Sequence, residues 1–206
     1  MRSSRFGSSI RFLVPALFAV FVFQSGAGFA SADPDPALAE FAGDWRLVDL
    51  EVGRASRMTA IDQAIGGLSW VVRKMAAPVL RRTTKPPQRM QFIWDGQQLE
   101  QRVPRPEGRD EARAVELDME IAEGKDSRGE PMTASWQWTG SGLKLSWAQN
   151  QAYGHNLYRV DSESETLVVR HTIHVTGISD VEPIIYESRF DRRVLPSVSA
   201  GLSPAD

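Results

Sequence analysis

The 206-residue chain contains no cysteine. Disulfide frameworks, thiolate metal sites, cysteine nucleophiles and lipidated cysteines are therefore excluded. It has no excess of one charge: 24 Lys and Arg stand against 26 Asp and Glu, for a formal net charge of −2. Nucleic-acid-binding domains usually show a strong basic surplus, so nucleic acid is not expected as a partner. No apolar run is long enough to cross a bilayer as a helix. The longest, Phe12 to Phe23, has 12 residues, against the roughly 20 that a span needs. Downstream of it there is no G-x-S-x-G, no H-E-x-x-H, no Gly-rich phosphate loop, no internal repeat and no low-complexity tract. What is present is ordinary for a globular domain, with 42% hydrophobic and 24% charged residues.

The N-terminus reads as an address. Arg2, Arg5 and Arg11 precede the apolar run, and Ala30-Ser31-Ala32 supplies a small-residue cleavage site, so residues 1–32 are expected to be a signal peptide. Its removal would leave 174 residues, taking away three arginines and no acid, which moves the net charge from −2 to −5. Export to a periplasm or the medium is the expectation. A chain of that length can bury a sizeable core without the disulfides that smaller exported folds use.

Period-three-and-four spacing of Ile61, Ile65, Leu68, Val72, Met75 and Val79 predicts a helical insertion at about 54–84, capped by Ser56 or Thr59 and kinked near Pro78. Gly66-Gly67 loosens its middle, so two shorter helices are the alternative. Around it the period is two. Trp45 to Val48 predicts a first strand, and Met90, Phe92 and Trp94 alternate up to an Asp95-Gly96 hairpin signal. Pro104 to Arg113 reads as a loop, and Val115, Leu117, Met119 and Ile121 as the cleanest alternating strand. Gly124 to Pro131 reads as a connection, with further strands around Trp136, Leu145, Tyr158, Val169 and Tyr186. About eight or nine strands on short connections favour a closed antiparallel barrel or a sandwich. One domain over 38–195 accommodates them, with 196–206 as a loose tail.

Gly43-Asp44-Trp45, opening the first strand, resembles the G-x-W signature of the lipocalins and wider calycins. The resemblance implies an all-β up-and-down barrel in which the tryptophan sits at the closed end under an arginine from near the end of the last strand. Arg189, Arg192 and Arg193 are the candidates; Arg192, in phase with Tyr186 and Phe190, is the choice for that structural closure on Trp45. The chain departs from the family in the length of its insertion. The whole pattern is similar to exported bacterial lipocalin-like proteins with a helix after the first strand.

The resemblance implies a non-enzymatic binding protein holding a small hydrophobic ligand in the barrel. Phe92, Trp94, Trp136, Trp138, His171 and Tyr186 are the candidate lining residues. The same aromatics could equally fill a small barrel completely. No metal is expected, because His171 and His174 point to opposite faces of one strand and no acidic spacing completes a site. No catalytic residue and no cofactor are expected, and the protein is expected to be a monomer. The charge distribution offers a second reading. Residues 53–88 carry seven cations and one acid, so Arg73, Lys74, Arg81 and Arg82 could contact an anionic membrane or an acidic partner. They could also simply balance the acidic strands.

Overall fold

The computed structural model describes residues 36–48, 50–104, 111–117, 122–125 and 131–193. The expected signal peptide and the C-terminal tail lie outside them. A 3₁₀ turn at Pro36–Phe41 leads into β1 (Gly43–Val48), then α1 (Leu50–Ala64) and α2 (Trp70–Thr83). The remaining elements are β2 (Arg89–Trp94), β3 (Leu99–Val103), β4 (Glu111–Ala114), β5 (Ala122–Lys125), β6 (Pro131–Trp138), β7 (Leu143–Gln149), β8 (Ala152–Asp161), β9 (Thr166–Val175) and β10 (Ile184–Arg193).

The ten strands form one antiparallel sheet in the order β4-β3-β2-β1-β10-β9-β8-β7-β6-β5. Among the described residues every ladder but one joins strands adjacent in sequence; the exception pairs β1 with β10 and curls the sheet round so that the first and last strands meet. This is an up-and-down β-barrel with a helical pair between its first two strands. The sheet's two edges are β4 and β5. Leu117 spans part of the seam between them through a parallel bridge to Trp136.

Period-two alternation sets the inner face of nearly every strand. Along β10, Ile184, Tyr186, Ser188 and Phe190 are buried while Ile185, Glu187, Arg189 and Asp191 are exposed. The barrel is filled from its closed end by aromatic rings. Phe41 meets Phe92 and Trp138 edge-on with centroids 5.9 and 6.3 Å apart, and Tyr158 packs on Phe92 and Trp136 at 5.9 and 5.5 Å. Aromatic pairs of this kind contribute about 0.5–1.5 kcal/mol each beyond the area they bury.

The insertion takes the form of two shorter helices, the alternative to one helix kinked near Pro78. It breaks at Gly66-Gly67, and Pro78 sits inside α2 without ending it. Because the chain restarts at Trp70, the buried stripe of α1 (Arg57, Ala60, Ile61, Ala64) does not continue in phase. α2 buries Ala76, Leu80 and Thr83, and Met75 is exposed. Ser56 and Thr59 lie within α1 and cap nothing, since the helix begins at Leu50.

Three other boundaries shift. Residues 111–113, expected in a loop, pair with β3 together with Ala114, and the chain then leaves that ladder to cross the seam. Val115 and Leu117 are therefore not a strand; Met119 and Ile121 lie outside the described residues. β5 runs from Ala122 into the first two residues of the expected connection, and Pro131 is the first residue of β6, where a missing N–H is tolerated. The turn at Asp95 has four residues, because Trp94 pairs with Leu99. Asp95 Oδ1 accepts the Gln97 and Gln98 N–H groups at 2.8 and 2.7 Å. Those bonds hold the carboxyl below its ordinary pKa.

Candidate functional site

Where β1 ends at Val48, β10 continues without it, and α1 lies across the gap. A lateral cleft of about 470 Å³ opens there, between the first turns of α1, the segment before β2, and β10. Its size falls within the roughly 300–1,000 Å³ of small-molecule sites. Leu47, Val48, Leu50, Val52 and Pro86 give it an apolar wall. Four cations (Arg54, Arg57, Lys85, Arg189) and two acids (Glu51, Glu187) border it, so its surroundings are net positive.

Arg57 is the unusual member. It occupies the buried stripe of α1, four residues before Ile61, and is only 8% exposed. Its Nη1 donates to the Thr84 carbonyl at a long 3.5 Å, and its Nε has no partner. Among the described residues it forms no ion pair. Burial lowers its pKa; Tyr186 opposes that shift and Arg54 adds to it. A guanidinium stays charged in proteins, and burying a charge without a counter-ion costs several kcal/mol.

Behind the cleft runs a chain of interior polar groups. Asn156 Oδ1 faces His171 Nδ1 at 2.9 Å, and Ser188 Oγ lies 3.2 Å from His171 Nε2. The Asn156 amide nitrogen and that of Gln101 donate to the Tyr158 hydroxyl at 3.5 and 3.4 Å. Tyr186 stacks on His171 with ring centroids 4.5 Å apart, and its hydroxyl donates to the Thr84 carbonyl. Burial raises the Tyr186 pKa. Ser188 also borders the cleft, joining the chain to the opening.

The sequence Ser188, His171, Asn156 has the hydrogen-bond order of a nucleophilic relay, but its electrostatics oppose that chemistry. Burial above all, with Arg57 adding to it, lowers the His171 pKa to about 3. An imidazolium formed by taking the serine proton would face a neutral amide and a cation. The histidine is therefore a neutral link that fixes its neighbours.

None of the six side chains expected to line a ligand borders this cleft. Phe92, Trp136 and Trp138 belong to the aromatic filling, Trp94 packs partly buried against the core, and His171 and Tyr186 stand behind Ser188 and beside Arg57. Ser188, Asn156 and Arg57 were missed, although each carried a signal: a polar residue in the inward phase of a strand or of the α1 stripe. At the closed end the Arg192 guanidinium lies 4.7 Å from the Trp45 ring centre, while Arg189 and Arg193 are exposed. His174 is on the outer face, stacked on Tyr153 at 4.7 Å. Together with His155 they edge a shallow outer groove of about 350 Å³. Among the described residues no three His, Asp or Glu side chains converge on a point that could hold a metal.

Arg73, Lys74, Arg81 and Arg82 are all exposed on α2. Arg81 is paired with Asp62 at 3.1 Å, and Lys74 sits over the Trp70 ring at 5.1 Å. Trp70 and Val71 are 66% and 56% exposed beside them. No helix among the described residues is long and apolar enough to cross a membrane.

No protein-family model matches the chain, and no curated protein matches it in sequence. Among solved structures it is similar to a Schistosoma mansoni fatty acid binding protein in complex with arachidonic acid, at 16% identity and a TM-score of 0.47 over 76% of this chain and 98% of that one. Apo lipid binding protein 8 of Caenorhabditis elegans compares at 14% and 0.46, over 79% of this chain and 100% of that one. Zebrafish ileal bile acid-binding protein complexed with cholic acid compares at 11% and 0.44, over 75% and 99%.

Proposed function

We propose that this is an exported, non-enzymatic binding protein that holds a small apolar molecule with an anionic end in the lateral cleft. The observation that carries the reading is Arg57: a buried cation with no carboxylate partner among the described residues, at an opening with an apolar wall. An anion would supply the missing counter-charge, and the wall would shelter the apolar remainder. The aromatic interior then serves as scaffold and leaves the cleft as the site.

Native mass spectrometry of the protein purified without delipidation, followed by calorimetric titration with decanoate, tests this. A reproducible added mass lost on denaturation, or saturable decanoate binding that Arg57→Met removes, supports the reading. A bare chain that takes up no decanoate overturns it. Export is checked separately by N-terminal sequencing of the secreted or periplasmic form, which should begin at Asp33.

A second reading rests on a different observation, the exposure of Trp70 and Val71 next to Arg73 and Lys74. Apolar and cationic groups on one helix suit the surface of an anionic bilayer. Binding to phosphatidylglycerol vesicles should then fall steeply with salt and disappear in a variant lacking the Arg73, Lys74, Arg81 and Arg82 charges. Binding that ignores both salt and those substitutions would reject the reading.

A further inference from the structure

The proton positions behind the cleft decide what its floor can offer. Asn156 places its carbonyl oxygen 2.9 Å from His171 Nδ1 and its amide nitrogen 3.5 Å from the Tyr158 hydroxyl, and in that orientation Nδ1 carries the imidazole proton. Nε2 is then an acceptor, and the partner within its reach is the Ser188 hydroxyl at 3.2 Å. Burial keeps His171 neutral, so Nε2 has no proton of its own. A serine hydroxyl has one hydrogen and two lone pairs. With that hydrogen committed to His171, Ser188 can present only lone pairs to the cleft it borders.

The same cleft is bordered by Arg57, which can only donate. A simple carboxylate would satisfy Arg57 and leave the Ser188 acceptor facing a group with no hydrogen to give. We infer that the bound molecule is a hydroxy acid, whose anionic oxygen pairs with Arg57 and whose hydroxyl donates to Ser188. The inference rests on the binding reading above and deepens it: Arg57 selects charge, and Ser188, held by His171, selects the hydroxyl. His171 is thus a positioning residue, acting on the ligand through the direction it imposes on the serine proton.

The test is a calorimetric comparison, on the purified protein, of decanoate with 2- and 3-hydroxydecanoate and their methoxy counterparts, which keep the oxygen but lack its hydrogen. A net hydrogen bond is worth about 0.5–1.5 kcal/mol, so one hydroxy acid should bind roughly two- to thirteenfold tighter than decanoate and than its own methoxy ether. Ser188→Ala should erase that preference while decanoate still binds. Equal affinities across the series would overturn the inference and leave the binding reading standing; no binding by any member would overturn both. A readout independent of ligand is the ¹⁵N spectrum of His171 in the wild-type protein. The Nδ1–H tautomer supports the inference, and the Nε2–H tautomer, which would turn the serine proton toward the cleft, overturns it.

Discussion

The Arg192 guanidinium lies across the fully buried ring of Trp45, 4.7 Å from its centre. The two residues also face each other in the β1–β10 ladder that draws the sheet round. Each is tied to the turn that plugs the closed end: Trp45 Nε1 donates to the Phe41 carbonyl at 2.8 Å, and Arg192 Nη2 to the Glu40 carbonyl at 2.7 Å. Gly43 completes the arrangement, since a Cβ there would stand 3.3 Å from Arg192 Cγ. The contact should therefore act as a coupled unit. A double-mutant cycle of Trp45→Leu and Arg192→Leu in urea should give an interaction energy of about 0.5–2 kcal/mol. Additive losses would mean that ring and cation stabilise the barrel separately.

His171 makes stability depend on acidity. Its folded pKa is lowered to about 3 from an ordinary 6.5, so the unfolded chain binds a proton that the folded one refuses. The contribution is whole above pH 6.5 and is lost as pH falls toward 3, at up to about 1.4 kcal/mol per pH unit. His171→Gln removes that dependence. Its deficit against the wild type at pH 7 should shrink steadily down to pH 4. A constant gap would show that the imidazole already exchanges protons freely in the fold.

Much of this architecture was legible in the chain. Alternation through Tyr186, Ser188 and Phe190 gives the inner face of β10 directly, and Trp45 with Arg192 follows from the G-x-W resemblance and that phase. The errors gather where long-range geometry overrides local pattern. Val115 and Leu117 alternate well, yet the chain must cross from β3 to β6 there, and a seam crossing leaves no ladder to join. The cleft was harder still, because it exists only where β1 stops short of β10 beneath α1. Residues 53–88 carry seven cations, and the structure sets Arg57 apart from the rest: it stands four residues before Ile61, on the buried stripe of α1.

Gly154 marks a close approach in the sheet. A Cβ there would meet the Thr172 carbonyl oxygen at 2.1 Å and Trp147 Cζ2 at 3.1 Å. Gly154→Ala must push β8 and β9 apart or displace the indole, so a loss of about 1–3 kcal/mol in urea is expected. Gly67, between the helices, meets nothing within 4 Å. Gly67→Ala should be neutral or add a few tenths of a kcal/mol by restricting the unfolded chain. Equal losses at both sites would mean that backbone freedom, and not strand contact, sets the cost at Gly154.

Arg57 separates a structural cation from a binding one. Truncating one partner of a buried ion pair typically costs about 3–5 kcal/mol, because the other charge is stranded. Among the described residues Arg57 strands nothing when removed: its one bond, to the Thr84 carbonyl, is long, and that carbonyl keeps the Tyr186 hydroxyl. Arg57→Met should therefore leave the urea midpoint of the ligand-free protein unchanged or raise it, since an unpaired buried charge is replaced by a thioether of similar length. The same variant should lose the stabilisation that saturating decanoate confers on the wild type. Stability gained together with binding lost is the pattern of a residue kept for its ligand. A fall of several kcal/mol without ligand would instead assign Arg57 to holding α1 on the barrel.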